Sequence, residues 1–110
     1  MIFELDQQET YTVIAAKGRL NVIAAPELRA AVNGALEAGH RWLVLDLAQT
    51  DFMDSSGLGA LVSCLKSARE ADGDLRIANA GEQILMVLNL TSLDRILPSY
   101  PNVQEAFRHA

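Results

Sequence analysis

The residues with most capacity for chemistry fall in one short run, Asp51-Phe52-Met53-Asp54-Ser55-Ser56-Gly57-Leu58-Gly59. Carboxylates, adjacent hydroxyls and glycines in this order suit a turn that enters a helix. Asp54, Ser55 or Ser56 can accept the N–H bonds that a first helical turn leaves unpaired, and Gly57 and Gly59 remove side chains from the surface around it. The expected object is a serine hydroxyl displayed at a helix N-terminus beside accessible backbone. On spacing alone, a capping turn is a sufficient account of these residues.

Hydrolytic chemistry fits them poorly. A nucleophile elbow places Gly two residues before and two after its serine, whereas Met53 precedes Ser55 and Asp54 precedes Ser56 at that distance. Gly57-Leu58-Gly59 has two glycines of a dinucleotide loop, but Val62 stands where the third small residue belongs. The single cysteine, Cys64, cannot form an internal disulfide, and with His40 and His109 it supplies too few soft ligands for a structural zinc site. Cys64 lies at the edge of an apolar helical stripe with no basic neighbour to activate it, so it reads as a small core residue. Met53, Met86 and Trp42 read as core or near-core packing, and His40, just past a helix end, has a structural role at the negative end of the helix dipole. No metal or cofactor is expected, and the chain reads as a binding protein rather than an enzyme.

The elements around the run can be read from periodicity. Phe3 and Leu5 alternate with Glu4 and Asp6, and Val13 and Ala15 share a face of the stretch from Tyr11 to Lys17, which predicts a β-hairpin with one buried side. Pro26 suits a first helical turn, and Leu28, Ala31, Val32, Ala35 and Leu36 then keep helical spacing to Gly39. The nearly continuous apolar stretch Trp42–Leu47 predicts a central strand covered on at least one face. From Ser56 to about Ala71, Leu58, Leu61, Val62, Leu65 and Ala68 form a stripe opposite Lys66, Arg69 and Glu70, the pattern of an amphipathic helix. Leu75–Ala78 gives a short strand, and Ile84, Leu85 and Leu88 a third helix. Asn102-Val103-Gln104-Glu105 has the spacing of a capping box before a terminal helix. The order is hairpin, helix, strand, helix, strand, helix, weak strand, helix, which predicts an α/β fold with helices packed on a mixed sheet.

The chain has 110 residues, of which 50% are apolar and 21% charged, with a net charge of −5. That length suits one domain over residues 1–110. No apolar run approaches the roughly 18–20 residues that cross a bilayer, so no membrane insertion is expected. The first six residues have acids where a secretory signal has bases, which with the lone cysteine suggests a reducing cytoplasm. An acidic chain without a Lys/Arg cluster is poorly suited to grip a phosphate backbone, so no direct nucleic-acid binding is expected.

The stretch from Asp46 to Leu61, centred on Phe-Met-Asp-Ser-Ser-Gly-Leu-Gly, resembles the hallmark of the STAS domain, specifically the anti-anti-sigma factors of bacterial partner-switching systems. The element order, the length and Gly18-Arg19-Leu20 extend the resemblance over essentially the whole chain. It implies the STAS fold, a mixed sheet of about four to five strands with about four helices. It further implies that the serine directly after the motif aspartate, Ser55, is phosphorylated by a serine-kinase anti-sigma factor and dephosphorylated by a PP2C-type, metal-dependent phosphatase. Ser56 is then a helix cap and near neighbour, and the partner-binding face comprises Asn21, Asp54, Ser55, Ser56, Gly57, Leu58 and Gly59. The family often has Asp where this chain has Asn21, and Ser-Gly-Leu where it has Leu90-Thr91-Ser92-Leu93. A second reading within the same fold is a STAS subunit that binds a transporter ATPase or a small ligand, as in lipid-transport complexes.

Overall fold

A computed structural model describes residues 1–107. Five strands form one sheet in the spatial order β1-β2-β3-β4-β5. β1 (Ile2–Gln7) is antiparallel to β2 (Thr12–Leu20), while β3 (Trp42–Met53), β4 (Asp74–Ala78) and β5 (Ser99–Tyr100) continue parallel to β2. The connections after β2, β3 and β4 carry α1 (Ala24–Glu37), α2 (Ser55–Glu70) and α3 (Glu82–Leu90). A 3-10 turn at Leu93–Arg95 follows α3, and α4 (Val103–Ala106) follows β5. The element order read from the sequence is the order observed.

The sheet is covered on both faces, which explains the unbroken apolar run in β3. Leu43, Leu45 and Leu47 join Ile14, Leu20, Leu75 and Ile77 in the main core, against Leu28 and Val32 of α1, Leu61 and Leu65 of α2, and Ile84 and Leu88 of α3. Val44 and Ala78 point the other way, into a smaller core closed by Ala106 and Phe107, with Tyr11, Tyr100 and Val103 packed against it. A four-residue helix has little stability of its own, and α4 is held from outside. Asn102 accepts a hydrogen bond from the Glu105 N–H at 3.0 Å. The Arg76 guanidinium donates to the Ala106 carbonyl and lies 4.3 Å from the centre of the Phe107 ring.

Several expectations require correction. In β2 the main core takes Ile14 and Ala16, not Val13 and Ala15, although Val13 is buried as well. Phe3 packs on the main core, but Leu5, on the same face of edge strand β1, is exposed. β3 does not stop at Leu47. It runs to Met53, because buried Thr50 donates its hydroxyl to the Ala16 carbonyl at 2.8 Å and the ladder with β2 continues through two register irregularities. Gly18, at φ +125°, takes up the second of these in a conformation that L side chains rarely adopt. Met53 is buried, but Met86 is 53% and Trp42 44% exposed, so neither is a core residue. Trp42 instead caps the second core from outside, in edge contact with Phe107. His40, expected at the negative end of the helix dipole, makes its side-chain contact elsewhere: Nδ1 lies 2.9 Å from the hydroxyl of buried Thr12. His109 lies outside the described residues.

Candidate functional site

Parallel strands deliver the starts of their following helices to one edge of the sheet, the place where α/β proteins put binding sites. Leu20, at the end of β2, is in register with Met53, at the end of β3. The Asp54 N–H reaches the Leu20 carbonyl at 3.3 Å, so the two exits lie side by side. Each then turns into a helix through a side-chain acceptor. Asn21 Oδ1 accepts from the N–H groups of Ile23 and Ala24 at 3.1 and 3.0 Å, and Asp54 Oδ1 accepts from the Gly57 N–H at 3.0 Å.

The last of these bonds identifies the cap of α2. Asp54 has the extended backbone of an N-cap, and Ser55 is the first helical residue. Ser56, expected as a cap, is instead the second helical residue and half-buried, because the cap position lies two residues earlier. Ser55 is exposed. The first turn of α2 contains no acidic side chain, so its unpaired N–H groups and the positive end of its dipole are opposed mainly by the Asp54 cap.

The two glycines have separate reasons. Gly57 is buried, not exposed as expected; a Cβ there would collide with the backbone and side chain of Leu20. It therefore lets the start of α2 lie directly on the end of β2. Gly59 is exposed, and a Cβ there would meet open space. Leu58 faces the main core and is only 7% exposed. Of the residues expected to bind a partner, Asn21, Asp54, Ser55, Ser56 and Gly59 therefore reach the surface, while Gly57 and Leu58 shape it from below.

Other residues at this edge went unnoticed in the sequence. Val22 and Ile23, between Asn21 and α1, are 67% and 75% exposed. An apolar pair at a turn, where polar residues are usual, was the signal available. Gln83, on α3, bonds both polar groups of the Met53 backbone: Oε1 accepts from the Met53 N–H at 2.8 Å and Nε2 donates to its carbonyl at 2.9 Å. Met86 and Leu90 stand three and seven residues after Gln83, on its side of the helix, and both are exposed. Nothing local announces the Gln83 contact, which joins residues thirty apart. Arg19, exposed, stacks over the Phe52 ring at 4.2 Å, two residues before the cap.

Cys64 takes no part in this surface. It is 2% exposed in the main core, and burial pushes its thiol up to about 11, against a smaller opposing influence of Arg29. A thiol so far from ionisation is a weak nucleophile near neutral pH. Among the described residues, no three His, Cys, Asp or Glu side chains converge as metal ligands, and no helix is long and apolar enough to cross a membrane.

Comparison with known proteins bears on this geometry. The STAS domain family model matches residues 3–106. A Thermotoga maritima protein described as a candidate anti-sigma factor antagonist is 35% identical over 71 residues, which span 64% of this chain and 63% of that protein. The anti-sigma-B factor antagonist of Staphylococcus aureus is 28% identical over 94 residues, covering 86% of this chain and 87% of its own length. Among solved structures, a candidate anti-sigma factor antagonist from Thermotoga maritima superposes with a TM-score of 0.88 at 28% identity, over 96% of this chain and 92% of that one. The Bacillus cell fate determinant SpoIIAA in its phosphorylated form superposes at 0.71 over 97% of both chains; at 22% identity the likeness is one of fold.

Proposed function

The chain belongs to the STAS domain family, and from that premise we propose that it is an anti-sigma factor antagonist whose docking to a serine-kinase anti-sigma factor is controlled by phosphorylation of Ser55. The observation that carries the reading is the pairing of an exposed Ser55 with the Asp54 cap at the first position of α2. The names of the Staphylococcus aureus and Thermotoga maritima relatives support it. In the unmodified state the exposed edge formed by Asn21, Val22, Ile23 and the start of α2 meets the partner. The kinase transfers the terminal phosphoryl group of ATP to Ser55 Oγ, releasing ADP and the hydroxyl proton, and a PP2C-type phosphatase hydrolyses the ester. The chain itself performs no catalysis in this scheme, and it acts in the cytoplasm as one domain.

Physical chemistry favours blocked docking over unfolding as the means of control. A phosphoserine adds about −1.5 to −2 charges near neutral pH. At a helix start that charge meets free N–H groups and the positive dipole end, an interaction of roughly 0.3–2 kcal/mol in favour of the fold. Against an opposing protein surface the same charge is desolvated and, next in sequence to Asp54, adds to the negative charge of the turn. Such juxtapositions cost several kcal/mol, and each ~1.4 kcal/mol is tenfold in affinity.

The test begins with capture of the partner on the immobilised protein and proceeds to labelling with ATP. Tandem mass spectrometry is expected to find one phosphate, on Ser55, absent in Ser55→Ala. Ser55→Asp is expected to weaken partner binding at least about tenfold by calorimetry, while its thermal midpoint stays within about 4 °C of wild type. A major phosphate on Ser56, Ser63 or Thr50 defeats the residue assignment. A variant that melts many degrees lower and loses binding in proportion replaces blocked docking with a destabilising switch.

A further inference from the structure

We propose that Gln83 is the positioning residue of the phosphosite: its carboxamide clamps the Met53 backbone and so fixes the direction in which the chain enters Asp54 and Ser55. The inference rests on the reading of Ser55 as the phosphorylated residue. The geometry is specific. A strand-end residue in a turn toward a helix has its N–H and carbonyl open to water or to a chance neighbour. Here one side chain satisfies both groups of Met53, at 2.8 and 2.9 Å, and the residue so held is the last of β3. Asp54 follows it, with only the longer 3.3 Å bond from its own N–H to Leu20. Ser55 is exposed and only two residues from the clamp.

Phosphoryl transfer demands that the attacking hydroxyl be presented in line, and a displacement of about 1 Å can cost on the order of a hundredfold in rate. The Asp54 cap fixes the helix side of the turn. Gln83 fixes the strand side, and its own position is secured by Ile84 and Leu88, which anchor α3 in the main core. The clamp also ties the start of α3 to the end of β3, two residues before Ser55.

The experiment compares wild type with Gln83→Leu, which loses both bonds, and Gln83→Glu, which keeps an acceptor for the Met53 N–H and loses the donor to its carbonyl. Amide hydrogen exchange is read at Met53 and Gly57, and steady-state phosphorylation of Ser55 is measured with the captured kinase. The clamp predicts faster exchange confined to Met53–Gly57 in Gln83→Leu, with kcat at least about tenfold lower and KM within about threefold of wild type. Gln83→Glu should fall between the two. Exchange and kcat indistinguishable from wild type overturn the proposal. So does faster exchange spread through α2 and α3 with a proportional fall in thermal midpoint, the signature of an ordinary packing residue. Absence of Ser55 labelling in wild type is a separate failure: it defeats the phosphosite reading itself, and the proposal with it.

Discussion

Asp54 performs two tasks with one carboxylate. Its Oδ1 caps α2 through the Gly57 N–H, and its charge faces the unopposed start of the helix dipole. The tasks separate by substitution. Asp54→Ala removes the acceptor and should destabilise the protein by about 1 kcal/mol, the usual cost of an N-cap, seen as a lower midpoint in urea. Asp54→Asn retains an acceptor of equal capping strength and should lie within about 0.5 kcal/mol of wild type. Equal losses in the two variants would show that the charge, not the cap, is the stabilising feature. Asn21 shows that a neutral acceptor suffices at this edge: where the family often has aspartate, its amide oxygen takes two N–H bonds at the start of α1.

Between elements, the exit of α3 has a residue at odds with its backbone. Ser92 follows α3 at φ +59°, a left-handed conformation that costs a residue with a Cβ roughly 1–2 kcal/mol. Ser92→Gly should therefore stabilise the fold by about 0.5–1 kcal/mol after the greater chain entropy of unfolded glycine is subtracted. A thermal melt should show a rise of a few degrees; a fall would mean that the serine side chain contributes more than the strain costs. The length of β3 belongs to the same scale. Its apolar signal ends at Leu47, since Ala48 and Gln49 are exposed, yet pairing with β2 carries it to Met53 and so delivers Asp54 beside Leu20.

For the molecule as a whole, the main core contains, among the described residues, one ionisable side chain, whose titration couples to folding. Burial raises the Cys64 thiol from 9.0 to about 11. Because the folded value exceeds the unfolded one, the unfolded chain releases this proton first as pH rises. Stability is unaffected by the thiol below about pH 9 and falls as pH climbs from there toward about 11. Tyrosines and lysines also titrate in that range, so the measurement is a difference. Urea midpoints across it should decline more steeply for wild type than for Cys64→Ala, by up to about one proton's slope. Parallel declines would show that the thiol ionises as readily in the core as in the unfolded chain.

Local chemistry was legible in the sequence because it is carried by neighbours. The helical stripe of α2, the cap spacing of Asn102 and Glu105, the element order and the candidate serine at a helix entrance all depend on residues within a turn or two of one another, and periodicity or capping reports them directly. The tertiary structure decided what depends on approach between distant segments. Gly57 is glycine because Leu20 lies against it, a requirement indistinguishable in sequence from the open surface at Gly59. Met86 and Trp42 are largely exposed, although their hydrophobicity suits a core. Gln83 reached Met53 only when α3 packed against the end of β3, and an isolated glutamine in a helix carries no mark of such a contact. The sequence therefore placed adjacent serines at the entrance to α2 but left the cap open among Asp54, Ser55 and Ser56, and resemblance to the family rather than spacing pointed to Ser55; the structure assigned the cap to Asp54. Packing across the sheet edge decided how that serine is held and which residues share its surface.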